Sequence, residues 1–133
     1  MLGYVVIGNA QDNAYYDPVD SSLNFGAIGD PFDASQPIGP VVDLDSIAHE
    51  FTHGIQNEVK NNFAGPQNPE NSALDESLSD MMAISLKNKH YKLSGANMNW
   101  KISDKVSLQN PQIPFRDLQN PKSLKAPDTY NGL

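Results

Sequence analysis

Hydrophobic and polar positions follow two different rhythms along this chain. Tyr4-Val5-Val6-Ile7 is aromatic and β-branched between Gly3 and Gly8, which predicts a short strand over residues 4–7. Asn9 to Asp20 is rich in Asn, Asp and Tyr and reads as a loop or irregular edge. Leu23 to Gly29 predicts a second strand, and Gly29-Asp30-Pro31 turns the chain. Residues 31–40 hold three prolines and read as a loop. After Pro40 the rhythm becomes helical. Leu44, Ile47, Ala48, Phe51, Ile55 and Val59 recur at the spacing of one helix face, and Asp43 or Asp45 can cap it. The pattern fades around Glu58 to Asn61, and residues 61–71 connect to a second helix over Ser72 to Lys89. In that helix Leu74, Leu78, Met81, Met82 and Ser85 share one side, and Glu76, Asp80 and Ala83 another. From Gly95 the chain turns irregular, with four more prolines. The pattern predicts an α+β fold that is mostly α, with short N-terminal edge strands and two long helices.

Length and composition refine this only a little. The 133 residues suit one domain, with strands and loops over 1–40 and helices plus irregular chain over 41–133. A net charge of −7 argues against nucleic acid or an anionic membrane surface as partner. Without cysteine there is no disulfide framework, and a metal site must use His and carboxylate ligands. No apolar run reaches the length of a membrane span. The apolar start, Met1 to Gly8, lacks a basic segment and reads as a strand rather than a signal peptide.

The candidate chemistry lies in His49-Glu50-Phe51-Thr52-His53. Positions four apart stack on one helix face, so both imidazoles can grip one metal ion. Zinc suits imidazole and carboxylate donors in an open tetrahedral site. Glu76 on the second helix is the candidate third ligand, because an antiparallel helix pair would set it against the histidines. Asp80, one turn further, could accept the other N–H of His49 and fix its tautomer. Two neutral histidines and one carboxylate leave a Zn²⁺ site near +1, which lowers the pKa of bound water to roughly 7. Glu50 then serves as the base that takes the proton and passes it to a leaving amine. His90 ends the second helix, where a cation suits the helix dipole.

Val42 to Ile55 and Ala73 to Asp80 resemble the thermolysin family of neutral metallopeptidases, whose second motif is a Glu followed by x-x-Ser-Asp. Asn13-Ala14-Tyr15-Tyr16 resembles the family's edge segment, whose Asn side chain and Ala carbonyl hold the substrate backbone. Arg116 matches the arginine that binds a substrate carbonyl and frames the pocket beyond the scissile bond. The resemblance implies a thermolysin-like catalytic core that cleaves peptides or proteins before a bulky apolar residue, with one zinc and a secreted site of action.

The chain also departs from the family. Asp75 stands where the family has Asn and would add negative charge near His53. The oxyanion tyrosine of the connecting loop has no counterpart, and Phe63 lies nearby. Lys87 replaces an acid of the calcium cluster, leaving Asp45 and Asp104 for at most one weak calcium site. The chain resembles a truncated core, because the family's oxyanion histidine would fall beyond Leu133. One missing donor of that kind costs on the order of a hundredfold in rate. A catalytically weak or inert zinc-binding fragment, or a binding domain, of the same fold is therefore the alternative. Exposed apolar surface on such a core would favour self-association.

Overall fold

The structure is a computed structural model, and it describes residues 2–5, 13–28, 39–40, 42–62, 69–105 and 113–126. Val6, Ile7, residues 31–38 of the expected loop over 31–40 and Phe63 lie outside the described residues, while Gly39 and Pro40, also expected in that loop, form a strand.

The N-terminal part forms a three-stranded sheet. Strand β1 (Leu2–Val5) pairs in parallel with β3 (Ser22–Phe25), and β2 (Ala14–Asp17) pairs with β3 antiparallel on its other side. The segment expected to be an irregular edge therefore contains a strand. Asp17 and Asp20 of this segment serve the turn that follows. Asp17 accepts from the Val19 N–H at 2.8 Å and Asp20 from the Ser22 N–H at 3.1 Å, while Ser21 takes a left-handed φ of 57°. These Asx bonds close a tight turn between β2 and β3. The second predicted strand is broken at Gly26, whose N–H is held by the Asn13 carbonyl at 2.8 Å. Beyond it, β4 (Ala27–Ile28) pairs with β5 (Gly39–Pro40).

Helix α1 spans Leu44–Asn62 and α2 spans Pro69–His90. Asp43 caps α1 by accepting the Ser46 N–H at 2.9 Å. Asp45, the other candidate cap, instead turns inward. Helix α2 starts three positions before its expected first residue, Ser72. Pro69 opens it, where a missing N–H loses no helical bond.

The two helices pack on their polar faces. Among the described residues, Ala48, Ala83, Ile84 and Ile102 form the apolar cluster at this joint, with Leu118 against it. Ile47, Phe51, Ile55 and Val59 of the α1 stripe are exposed, as are Leu74, Leu78, Met81 and Met82 on α2. The apolar stripes thus mark the helices correctly but not the face that packs. Small side chains at Ala48 and Ala83 let the helices approach, and polar residues fill the rest of the joint.

Asn88 fastens the chain after α2. Its amide donates to the Asn99 carbonyl at 2.9 Å and accepts the Asn99 N–H at 2.7 Å. This brings in the hairpin of β6 (Lys101–Ile102) and β7 (Arg116–Asp117), which sets Ile102 opposite Arg116. Behind the hairpin, the fully buried Lys87 ammonium meets Asp45 at 2.8 Å, Asp104 at 3.2 Å and the Lys101 carbonyl. Asp45 also accepts the Ser103 N–H at 2.7 Å. One buried cation therefore joins α1, α2 and β6.

Replacing Lys87 with Met should destabilise the fold by about 3–5 kcal/mol, because Asp45 would be left buried without its cation. Urea unfolding measures this, and a change within experimental scatter would refute the role. Burial alone would raise the pKa of Asp104, but the Asn99 amide and Lys87 outweigh it and hold the carboxyl below the ordinary 3.8. A folded pKa below the unfolded one stabilises above pH 3.8 and is lost as pH falls through the folded value. Asp104→Asn should therefore flatten the decline of the urea midpoint on acidification below pH 3.8.

Candidate metal centre

The metal-binding geometry begins with helix register. His49 and His53 lie one turn apart on the face of α1 that meets α2. Their rings stand edge to face with centroids 4.6 Å apart, and their Nε2 atoms are 3.0 Å apart. Glu76 of α2 completes the triangle, with one oxygen 3.2 Å from His49 Nε2 and the other 3.3 Å from His53 Nε2. Ligands about 2.0–2.1 Å from a tetrahedral zinc stand roughly 3.3 Å from one another. The three donors therefore already have the spacing of one face of that tetrahedron, and the donor set fits zinc. Hydrogen bonds from His49 and then His53 hold the Glu76 carboxyl well below the ordinary carboxylate range.

The far side of each imidazole is braced differently. His49 Nδ1 lies 2.8 Å from Asp80. Arg116 grips the same carboxylate with two bonds, Nε at 2.7 Å and Nη2 at 2.8 Å. Arg116 Nη2 also comes within 3.4 Å of His49 Nδ1. With Nε2 on a metal, both of these nitrogens carry protons, so they share Asp80 rather than bonding each other. Burial would raise Asp80, but His49 and Arg116 outweigh it and keep the carboxylate ionised. Burial would likewise lower the metal-free His49, yet Asp80 and Glu76 raise it to about 9. A metal must therefore displace a proton to bind.

His53 Nδ1 instead faces Ser79 Oγ at 3.3 Å. Asp75, expected to add charge near His53, directs its carboxylate to Lys60 of α1. Gln56 donates to Ser79 Oγ at 2.8 Å and to the Asp75 carbonyl at 3.1 Å. Sequence reasoning assigned Gln56 no part in the site, and Ser79 entered only as the serine of the Glu-x-x-Ser-Asp motif, without a role. Both sit three residues after a metal-ligand candidate, so helix register alone could have pointed to them.

Glu50 is buried beside the donors. Burial raises its pKa, while the two histidines and the Tyr16 backbone N–H pull the other way. Burial prevails, so the carboxyl is held above its ordinary 4.5, as suits a group that exchanges a proton with its surroundings.

All of this opens into a cavity of about 490 Å³. One wall is β2, which opens at Ala14, with Asn13 just before it, and Arg116 and Phe115 line another side. Strand β2 is an edge strand of its sheet, so its outer side can pair with an extended chain. The structure thus brings Asn13, Ala14 and Arg116 to one cavity with Glu50 and the three donors. Asp45 and Asp104 lie apart from it, with Asp43, in the Lys87 cluster.

Comparison with curated proteins and with solved structures gives no match. Two family models do match. The thermolysin metallopeptidase catalytic domain matches residues 1–57, which hold the histidine pair and Glu50. The thermolysin metallopeptidase alpha-helical domain matches residues 67–133, which hold Glu76, Asp80 and Arg116. The matches divide the donor set between them as the two helices do, and the chain belongs to the thermolysin metallopeptidase family.

Proposed function

We propose that this chain is a zinc endopeptidase in which His49, His53 and Glu76 hold the metal and Glu50 is the catalytic base. The observation that carries the reading is the convergence of three donors at tetrahedral spacing beside a buried carboxylate, in a cavity walled by an edge strand. Zinc held there supplies Lewis acidity toward a peptide carbonyl and toward water. Glu50 accepts the proton of the attacking water and delivers it to the departing amine. Asp80 keeps His49 Nδ1 protonated, so that Nε2 presents its lone pair.

The substrate chain lies extended along β2, with Asn13 and Ala14 holding its backbone and Arg116 its carbonyl. Arg116 suits this double role. Its bond pair to Asp80 uses Nε and Nη2, and a guanidinium has five N–H donors in all. Ile102 and Phe115 line the cavity near Arg116 and support a preference for a bulky apolar residue after the scissile bond. None of the helices among the described residues is long and apolar enough to cross a membrane. The family resemblance supports a secreted site of action.

Glu50→Gln should keep stoichiometric zinc and lose peptidase activity by about a hundred- to ten-thousand-fold. Metal analysis beside a peptide-cleavage assay checks both halves. If the zinc-loaded chain and Glu50→Gln are equally silent, the chain is the inert zinc-binding module instead. If no zinc is retained, the ligand assignment fails.

Calcium is a separate question. The carboxylate oxygens of Asp43, Asp45 and Asp104 lie within 4.8 Å of one another, but Lys87 already binds two of these residues. We propose that the ammonium serves as the cation of this cluster and makes the fold independent of calcium. Adding millimolar calcium to the zinc-loaded protein should leave its melting temperature unchanged. A clear rise would assign a calcium site to the protein after all.

A further inference from the structure

The two zinc-binding histidines are not braced alike, and the weaker brace has a support of its own. His49 Nδ1 meets an ionised carboxylate, whereas His53 Nδ1 meets only the hydroxyl of Ser79 at 3.3 Å. A neutral hydroxyl orients an imidazole less firmly than a carboxylate does. It can also rotate, and it can either donate or accept.

Gln56 removes that freedom. Its Nε2 donates to Ser79 Oγ at 2.8 Å and to the Asp75 carbonyl at 3.1 Å. The carbonyl can only accept, so it fixes which end of the amide faces Ser79. Gln56 then fills one lone pair of the hydroxyl. The other is left for the Nδ1–H that His53 carries when Nε2 holds the metal. Both residues are buried, Ser79 completely and Gln56 to within 8% exposure. This orientation leaves Gln56 Oε1 buried with no protein partner among the described residues. An unpaired buried amide oxygen is unfavourable, so the arrangement is not one that packing alone would select.

We infer that Gln56, acting through Ser79, is a positioning residue that sets the tautomer and orientation of His53 and thereby tunes metal affinity. The relay also ties the bracing to both helices. Gln56 and His53 belong to α1, while Ser79 and the Asp75 carbonyl belong to α2, next to the third ligand Glu76. His53 is accordingly oriented only when the two helices are docked. The inference rests on the metal-site reading proposed above.

The test is a double-mutant cycle on zinc affinity, measured by competition with a chromogenic chelator. Ser79→Ala removes one oxygen, and Gln56→Met keeps an unbranched chain of similar length without its donors. Each should weaken zinc binding by about 10–100-fold. The double variant should be no weaker than Ser79→Ala within about twofold, because Gln56 has no route to His53 once the hydroxyl is gone. The visible spectrum of the cobalt(II)-substituted protein should shift in both single variants, a change that lost stability alone would not produce. Unchanged affinities would overturn the inference, and so would losses that add in the double variant or an unchanged cobalt spectrum. If the wild-type chain binds no zinc, the metal-site reading itself fails, a result distinct from these.

Discussion

Carboxylates can be buried between two helices only where each meets a cation or a set of donors, and the pairings between α1 and α2 follow from that constraint. Asp45 sits against Lys87. Asp80 lies between His49 and the Arg116 fork. Toward the open side of the joint, the half-buried Asp75 pairs with Lys60, and the more exposed Glu76 faces the two imidazoles. An unpaired buried charge would cost several kcal/mol, on the order of the whole stability of a small domain. The apolar cluster is too small to absorb such a loss. Each pairing therefore fixes a distance between the helices, and together they fix the register that brings Glu76 to the histidines.

The same constraint explains why the hairpin after α2 belongs to the site. Lys87 anchors Lys101 and Asp104, and the Ser103 N–H returns to Asp45. Strand β6 is then held in place, and its pairing of Ile102 with Arg116 sets the guanidinium against Asp80. The buried lysine thus contributes to the orientation of His49 through backbone pairing, without touching the metal site. Structural and chemical roles are not separable in this part of the molecule.

Much of the fold was legible in the sequence because helix periodicity is a local property. Both long helices follow from it, and so do the pairs His49/His53 and Glu76/Asp80, each one turn apart. Side-chain partners across the joint were not legible. Nothing local shows that Asp75 turns to Lys60, that Gln56 reaches Ser79, or that Lys87 is the most buried charge in the described structure. The apolar stripes invite the assumption that hydrophobic faces pack together. Here Phe51, Ile55, Leu78 and Met81 are exposed, because the polar faces must meet to build the site. Strand β2 was hidden for a different reason. Asp17 at its end and Asp20 just beyond serve the turn, and composition alone does not separate a turn from the strand that enters it.

The bracing of the two histidines shows how a site can divide rigidity from adjustability. The His49 brace is ionic, and Arg116 secures it from the β6–β7 hairpin. The His53 brace is neutral, and Gln56 and Ser79 secure it across the helix joint. Glu50 lies between the histidines on α1 and faces the Tyr16 N–H of the edge strand. A substrate paired with β2, as proposed, would therefore act on a wall that already contacts Glu50. The donor triangle is fixed by helix packing, whereas Glu50, the proposed base, is positioned partly by the strand proposed to receive the peptide. On this reading, metal affinity is set between the helices and proton transfer is set at the edge strand, so changes at one can be made without direct contact with the other.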